Sequence, residues 1–261
     1  MKVRFMLTRV FILLVAGALA SSSYAGIDPE TIAGIWLFDE GEGDSTADSS
    51  QNGNDGAITG AVWANGKFGK ALEFDGNDNV DCGSDASLDI TDAVTIVAWA
   101  ELNELDQMAA ILEKRDCGSN NGYALLNGWS RNTYMELTSM GVWVQSGVLE
   151  TDTWYHFAAT WDSATGNASF YQDGEKVQSK AGGAGAEIAL NEASLTIGLR
   201  GAPCTGNFRG TIDEVAVFSA ALEEEDVQKI MNEGLKAATG AVAVSSSGKL
   251  TDTWGDIKAA R

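Results

Sequence analysis

Histidine is nearly absent from this 261-residue chain, which holds one, His156. A lone imidazole inside the strand-like run TWYHFAATW is a poor basis for a Ser-His-Asp relay or a zinc site, both of which need further groups around it. Basic residues are also scarce: 17 Lys and Arg stand against 37 Asp and Glu, for a formal charge of −20. Such an excess argues against nucleic acid or an anionic membrane as partner, because either would repel the chain. The glycine-rich stretch Gly182 to Gly185 lacks a following Lys-Ser/Thr, which rules out a phosphate loop. No internal repeat of solenoid length is visible. The one long apolar run, Val10 to Ala20, is too short to span a bilayer.

That run has another use. It follows a basic start (Lys2, Arg4, Arg9) and precedes small residues at Ser23-Tyr24-Ala25, so residues 1–25 read as a secretory signal peptide. Export is therefore expected, to an extracellular, periplasmic or cell-surface location. Loss of the leader takes the formal charge from −20 to −23, because it carries three basic residues and no acidic one. The acidity suits solubility outside the cell; its alternative use is to offer carboxylates to divalent cations.

Cysteine is rare and odd in number. Cys117 (RDCGSNNG) and Cys204 (GAPCTGN) lie in loop-like sequence, whereas Cys82 follows directly on the strand-like Asn79-Val80-Asp81. In an exported chain we expect a Cys117–Cys204 disulfide, worth roughly 4 kcal/mol on the chain-entropy model. Cys82 is then left free and buried, as a small hydrophobe.

Turn signals are plentiful: Asn52-Gly53, Asn65-Gly66, Asp75-Gly76, Asn121-Gly122, Asn127-Gly128 and Asp173-Gly174. Between them lie short segments rich in β-branched and aromatic residues, the pattern of an all-β sandwich or barrel. The clearest are Ile35 to Phe38, Ala71 to Phe74, Val94 to Ala100, Tyr123 to Leu126, Tyr134 to Thr138, Trp154 to Trp161, Ala168 to Gln172 and Leu195 to Leu199. ASFYQDGEKV reads as a hairpin over Asp173-Gly174 with a tight primed turn. One stretch, Glu223 to Leu235, reads as a helix, with Val227, Ile230 and Met231 on one face and acids in its first turn. Residues 26–238 are expected to form one domain and 239–261 a tail, in which Leu250, Trp254 and Ile257 are the residues able to pack.

Within that domain, Gly210 to Leu222 (GTIDEVAVFSAAL) is apolar on both faces yet holds Asp213 and Glu214. A carboxylate in a dry strand costs free energy unless it is paired, hydrogen-bonded or bound to a metal.

The segments IWLFDEGEGDSTADSSQNGNDG, KALEFDGNDNVDCG, SLDITDAVTIVAWAEL, TDTWYHFAATWD, NASFYQDGEKV, SLTIGLR and FRGTIDEVAVFSAALEEEDV run in an order that resembles the LamG-like jelly-roll family of the concanavalin A-like lectin and glucanase superfamily. The resemblance covers roughly residues 33 to 235. It implies an all-β fold of two curved antiparallel sheets, a jelly-roll sandwich with one short C-terminal helix, whose first and last strands pair. That pairing would bring Phe38-Asp39-Glu40 beside Ile212-Asp213-Glu214. Several relatives hold a structural calcium near these strands, so Asp213 is the first metal candidate, with Asp39 and Asp75 next. The competing role for these acids is to accept hydrogen bonds from turn amides. A pentraxin-type ligand-binding calcium is not expected: Asp78-Asn79 resembles its first loop, but Gly198 to Cys204 lacks the acids of the second.

Retaining glucanases of this superfamily carry Glu-x-Asp-x-x-Glu on an inner strand, a pattern absent from the strand segments here. The expectation is a non-catalytic recognition module for a glycan or glycoprotein. Its ligand residues would be Trp143, Trp129, Arg131 and Tyr134 of the middle hairpins, where rings can stack on sugar faces. The alternatives are a structural or adhesive protein-interaction domain with no sugar site and, behind both, a glycosidase.

Overall fold

The computed structural model describes residues 26–105, 107–128, 130–201, 204 and 206–241; the expected leader, Trp129 and residues 242–261 lie outside it. In chain order the strands are β1 (Ile32–Trp36), β2 (Ser45–Thr46), β3 (Gly56–Thr59), β4 (Val62–Asn65), β5 (Lys70–Asp75), β6 (Asn79–Asp81), β7 (Ala93–Leu102) and β8 (Ala109–Lys114). They continue with β9 (Tyr123–Asn127), β10 (Thr133–Leu137), β11 (Val142–Gln145), β12 (Trp154–Asp162), β13 (Asn167–Gln172), β14 (Glu175–Ala181), β15 (Thr196–Ile197) and β16 (Arg209–Phe218). Two helices follow, α1 (Glu224–Glu233) and α2 (Leu235–Thr239). The helix expected over Glu223 to Leu235 is divided because Gly234 takes φ 79, which ends the first helix and starts the second.

The strands form two sheets of eight, every pairing antiparallel. The first runs β14-β13-β12-β7-β16-β5-β4 with β1 added against β16, and the second runs β11-β10-β9-β8-β15-β6-β3-β2. Between them lies a core that includes Trp36, Phe74, Ile96, Phe157, Trp161 and Val217. The outer face of the first sheet has its own apolar layer, where Ile35, Val97 and Phe218 meet Val227 and Ile230 of α1 and Leu235 of α2. Runs such as VTIVAWA are therefore apolar on both faces because both faces are covered.

The first and last strands do pair: Ile32 lies opposite Phe218 and Trp36 opposite Val215. One edge of β16 is occupied by β7, while the other is shared, β5 pairing with Arg209 to Ile212 and β1 with Val215 to Phe218. Asp213 and Glu214 fall in the gap where the partner changes. There the strand bulges against β7, with Glu214 at φ 51, and the alternation slips by one residue. Ile212 and Val215 face the core, so the bulge turns both acids onto the outer face; without it Glu214 would point between the sheets.

Cys117 and Cys204 are joined, their Cα atoms 5.8 Å apart, and Cys82 is free and buried.

Candidate functional site

The outer face of the second sheet carries a groove of about 470 Å³, lined by Met108, Ser130, Asn132, Tyr134, Glu136, Trp143 and Gln145. Two cross-strand rows build it. Ala110, Leu126, Tyr134 and Gln145 align across β8, β9, β10 and β11, and Glu113, Ala124, Glu136 and Trp143 form a parallel row. Small or medium side chains at Ala110, Ala124 and Leu126 make a low floor, and Tyr134 and Trp143 stand higher on it. Met135 and Leu137 point into the core, so period two alone delivers Tyr134 and Glu136 to the groove.

Tyr134 is held rather than loose. Its hydroxyl contacts Met108 Sδ at 3.0 Å, and Gly128 lies so close that a Cβ there would meet the ring at 2.2 Å. Burial, followed by the charge of Glu136, pushes its hydroxyl up to about 12, so it stays protonated. Trp143 is 45% exposed, with Lys180 Nζ 3.3 Å from its ring centroid. The rim is the turn between β9 and β10, closed by Gly128 N–H donating to Asn132 O at 2.8 Å. Two successive non-glycine residues there are left-handed, Ser130 at φ 65 and Arg131 at φ 57, a cost tolerated where a particular loop shape is needed. Ser130 lines the groove; Arg131 is exposed at the turn and does not. Trp129 lies outside the described residues.

Beneath the groove is a charge network that the sequence reading did not single out. A bulge in β8 sends Ile111 and Leu112 inward together and so turns Glu113 onto the outer face. Glu113 Oε2 takes Arg115 Nε at 3.0 Å and lies 3.5 Å from Arg200 Nε, while Oε1 accepts Gly201 N–H at 2.8 Å. Arg115 also donates to Glu136 at 2.9 Å, and Arg200 Nη2 reaches Cys117 Sγ at 3.2 Å. A chain of contacts thus runs from the disulfide to the groove wall. The available signal was spacing: Glu136 is two residues from Tyr134 on one strand face.

The acids nominated for a metal are not gathered in one place. Asp39 and Asp213 meet at the gap beside β16; Asp213 Oδ2 accepts Phe68 N–H at 2.9 Å and Asp39 Oδ1 accepts Lys70 N–H at 3.1 Å. Glu214 accepts the N–H of Leu235 at the start of α2. Gly66 must be glycine in this packing, since a Cβ would come within 2.5 Å of Asp213 Oδ2. Asp75 sits apart, opposite Arg209 four residues earlier in β16, and caps its own turn by accepting Asn77 N–H at 3.0 Å. Among the described residues no three His, Cys, Asp or Glu side chains are grouped as metal ligands.

Burial is the main force on this second region. It pushes Asp213 up to about 8, helped by the charges of Glu214 and Asp39, and Glu214 up to about 7, helped by Asp39. Asp213 stands opposite Trp99, and Trp99 opposite His156 with ring centroids 5.2 Å apart. In this row Asp213 Oδ1, Trp99 Nε1 and both His156 nitrogens are buried without a hydrogen-bond partner among the described residues. Burial pushes His156 down to about 3. A cavity of about 540 Å³ opens beside the row, lined in part by Asp39, Glu214, Glu233 and Lys236.

A family model described as the concanavalin A-like lectin/glucanases superfamily matches residues 74–228. No curated protein matches the sequence. Among solved structures, domain 4 of AbnA, a GH43 extracellular arabinanase from Geobacillus stearothermophilus determined in complex with arabinotriose, superposes with a TM-score of 0.61 at 22% identity, covering 77% of this chain and 98% of that one. The binding domain of Paraclostridial Mosquitocidal Protein 1 gives 0.60 at 16% identity, covering 78% of this chain and 52% of the other. The receptor-binding domain of botulinum neurotoxin C/D mosaic serotype gives 0.59 at 13%, with 78% and 51% covered. This chain spans about half the length of the two toxin chains. At such identities the likeness is one of fold.

Proposed function

The chain belongs to the concanavalin A-like lectin/glucanase superfamily, and from that premise we propose that it is an exported, non-catalytic recognition module that binds carbohydrate in the groove around Trp143 and Tyr134. The observation that carries the reading is the pairing of a half-exposed indole with a fixed phenol ring over a low aliphatic floor, edged by amides, a hydroxyl and a carboxylate. Apolar sugar faces stack on rings while polar groups read the hydroxyls. The arabinotriose complex of the arabinanase domain supports a saccharide as ligand class. The disulfide supports export.

Absence of catalysis is supported by the state of the acids and of the histidine. Both oxygens of Glu113 are committed to Arg115, Arg200 and Gly201, so it is unavailable as nucleophile or proton donor. His156 is buried on the opposite sheet, with no hydrogen-bond partner among the described residues for it to activate. The test is affinity electrophoresis against a polysaccharide panel. Trp143→Ala should weaken retention by about 2 kcal/mol, roughly thirtyfold, with the fold intact. If the wild type is retained by no polysaccharide, the protein-contact alternative replaces this reading; hydrolysis of any member of the panel would reinstate a glycosidase.

Calcium stands outside the binding proposal. The three acids at the gap each give one oxygen to a backbone amide, and among the described residues no three His, Cys, Asp or Glu side chains are grouped as metal ligands, so the carboxylates alone do not supply the six to eight oxygens that calcium wants. The melting temperature should be the same in calcium and in chelator; a rise with calcium that Asp213→Ala removes would overturn this.

A further inference from the structure

We infer that the groove selects neutral saccharides over acidic ones, and that Glu136 makes the selection by accepting hydroxyl donors beside the Trp143 ring. The inference rests on the carbohydrate reading given above and adds a ligand class to it.

Glu136 is the only charged side chain among the described residues lining the groove. Its Oε2 accepts Arg115 Nη1 at 2.9 Å, while Oε1 accepts no hydrogen bond from a described residue. The side chain is 30% exposed, so that oxygen is available to a ligand. Trp143 is its direct cross-strand neighbour, which sets their Cβ atoms about 5 Å apart. A pyranose or furanose on the part of the indole that Lys180 does not cover therefore brings its edge hydroxyls to the carboxylate. Such an acceptor is matched by O–H donors and opposed by a second carboxylate.

The neighbouring cations do not reverse this. Arg115 is 4% exposed and held between Glu113 at 3.0 Å and Glu136 at 2.9 Å. Arg200 is 9% exposed and held by Glu113 at 3.5 Å and by Cys117 Sγ at 3.2 Å. Both are buried, Arg200 with its Nε hydrogen-bonded to none of the described residues, so burial keeps both guanidiniums from a uronate. Lys180 is not among the lining residues, and its ammonium lies on the Trp143 ring. Arg115 acts here as a positioning residue: it fixes one carboxylate oxygen and so aims the other. The formal charge of −20 on the whole chain opposes anionic polymers further.

The experiment measures binding to neutral polysaccharides (arabinan, xylan, β-glucan) and to uronate polymers (polygalacturonate, alginate) at one ionic strength. It compares wild type, Glu136→Gln, Lys180→Ala and Trp143→Ala, with melting temperatures confirming that each is folded. The wild type should retain a neutral polymer and not a uronate. Glu136→Gln should weaken neutral binding about tenfold or more, the cost of losing a charged acceptor, and narrow the gap to the uronates. Should Glu136→Gln misfold, Arg115→Lys, which loosens the carboxylate without removing it, is expected to weaken neutral binding in the same direction. Equal retention of uronate by the wild type, or neutral affinity unchanged in Glu136→Gln while Trp143→Ala abolishes it, overturns the selection and leaves the groove as a sugar site. Uronate binding that Lys180→Ala removes would assign selectivity to the ammonium instead. No retention of any polymer removes both the selection and the carbohydrate reading.

Discussion

The two sheets solve the same steric problem with opposite electrostatics. On each, a bulge turns carboxylates out of the core: Glu113 from β8 onto the groove face, Asp213 and Glu214 from β16 beneath the helices. Glu113 is 1% exposed and meets two guanidiniums and an amide. Asp213 is fully buried and meets one amide and a second acid, in a row whose indole N–H and imidazole nitrogens have no hydrogen-bond partner among the described residues. The first arrangement neutralises charge with charge, which fixes side chains in place at a ligand groove. The second leaves neutralisation to the proton, and it sits where two strands change places, beside the cavity lined in part by Asp39 and Glu214.

Removing one negative charge from each region should therefore give opposite results, and the larger effect belongs to the groove. Glu113→Gln leaves Arg115 and Arg200 buried with too little counter-charge. We expect a loss of about 3 kcal/mol in denaturant unfolding, together with weaker saccharide binding as Glu136 loses its fixed support. A change within about 0.5 kcal/mol would mean that the network is not neutralising anything, and the contrast between the sheets would fail.

How much of this could be read in advance differs between the regions for a physical reason. The sandwich, the meeting of β1 with β16, and the joining of Cys117 to Cys204 follow from local pattern and from the order of the motifs. Tyr134 and Trp143 were legible as ring-bearing residues of middle hairpins, and they do share the groove. Glu113, Arg115 and Arg200 were not, because period two is broken by a bulge and Arg200 arrives from a loop distant in sequence. β8 itself (AAILEK) lacks the turn-bounded alternation of its neighbours. Asp213 stood out as a misfit in a greasy strand, yet its consort was misjudged: Asp75 lies on the same β5 edge but at the far end, since register and not residue type decides which acids meet.

A smaller effect, of opposite sign, is expected at Asp213. A carboxyl whose folded-state pKa is raised keeps its proton longer in the native state. Its stabilising contribution is complete below the unfolded value near 4 and is lost as pH rises through about 8 for Asp213 and about 7 for Glu214. His156, pushed down to about 3, works the other way: its contribution is present above the unfolded value near 6.5 and lost as pH falls through about 3. Stability should thus decline between about pH 4 and 8, less steeply below about 6.5, where His156 offsets part of the loss. Asp213→Asn, which keeps an acceptor for Phe68 N–H and removes the charge, should flatten that decline and gain about 1 to 2 kcal/mol at pH 9. An unchanged alkaline limb in the melting profile would show that Asp213 is neutralised by something other than a proton.

The smallest effect tests whether the row beside Asp213 is as poorly satisfied as it looks. Trp99 and Trp36 are both buried, but Trp36 Nε1 donates to Asn54 O at 2.8 Å whereas Trp99 Nε1 has no partner among the described residues. Replacing either by Phe removes apolar area worth about 1 kcal/mol. At Trp36 the change also strands a buried carbonyl, so the total loss should reach about 2 to 3 kcal/mol. At Trp99 it deletes an unsatisfied donor, which returns about the same amount as the lost area costs, and the cation contact from Lys67 at 4.3 Å survives on a phenyl ring. Trp99→Phe should therefore lie within about 0.5 kcal/mol of wild type. A loss as large as that at Trp36 would mean that a buried water joins Trp99 to Asp213 and His156, and the row under the helices would then be hydrogen-bonded rather than orphaned.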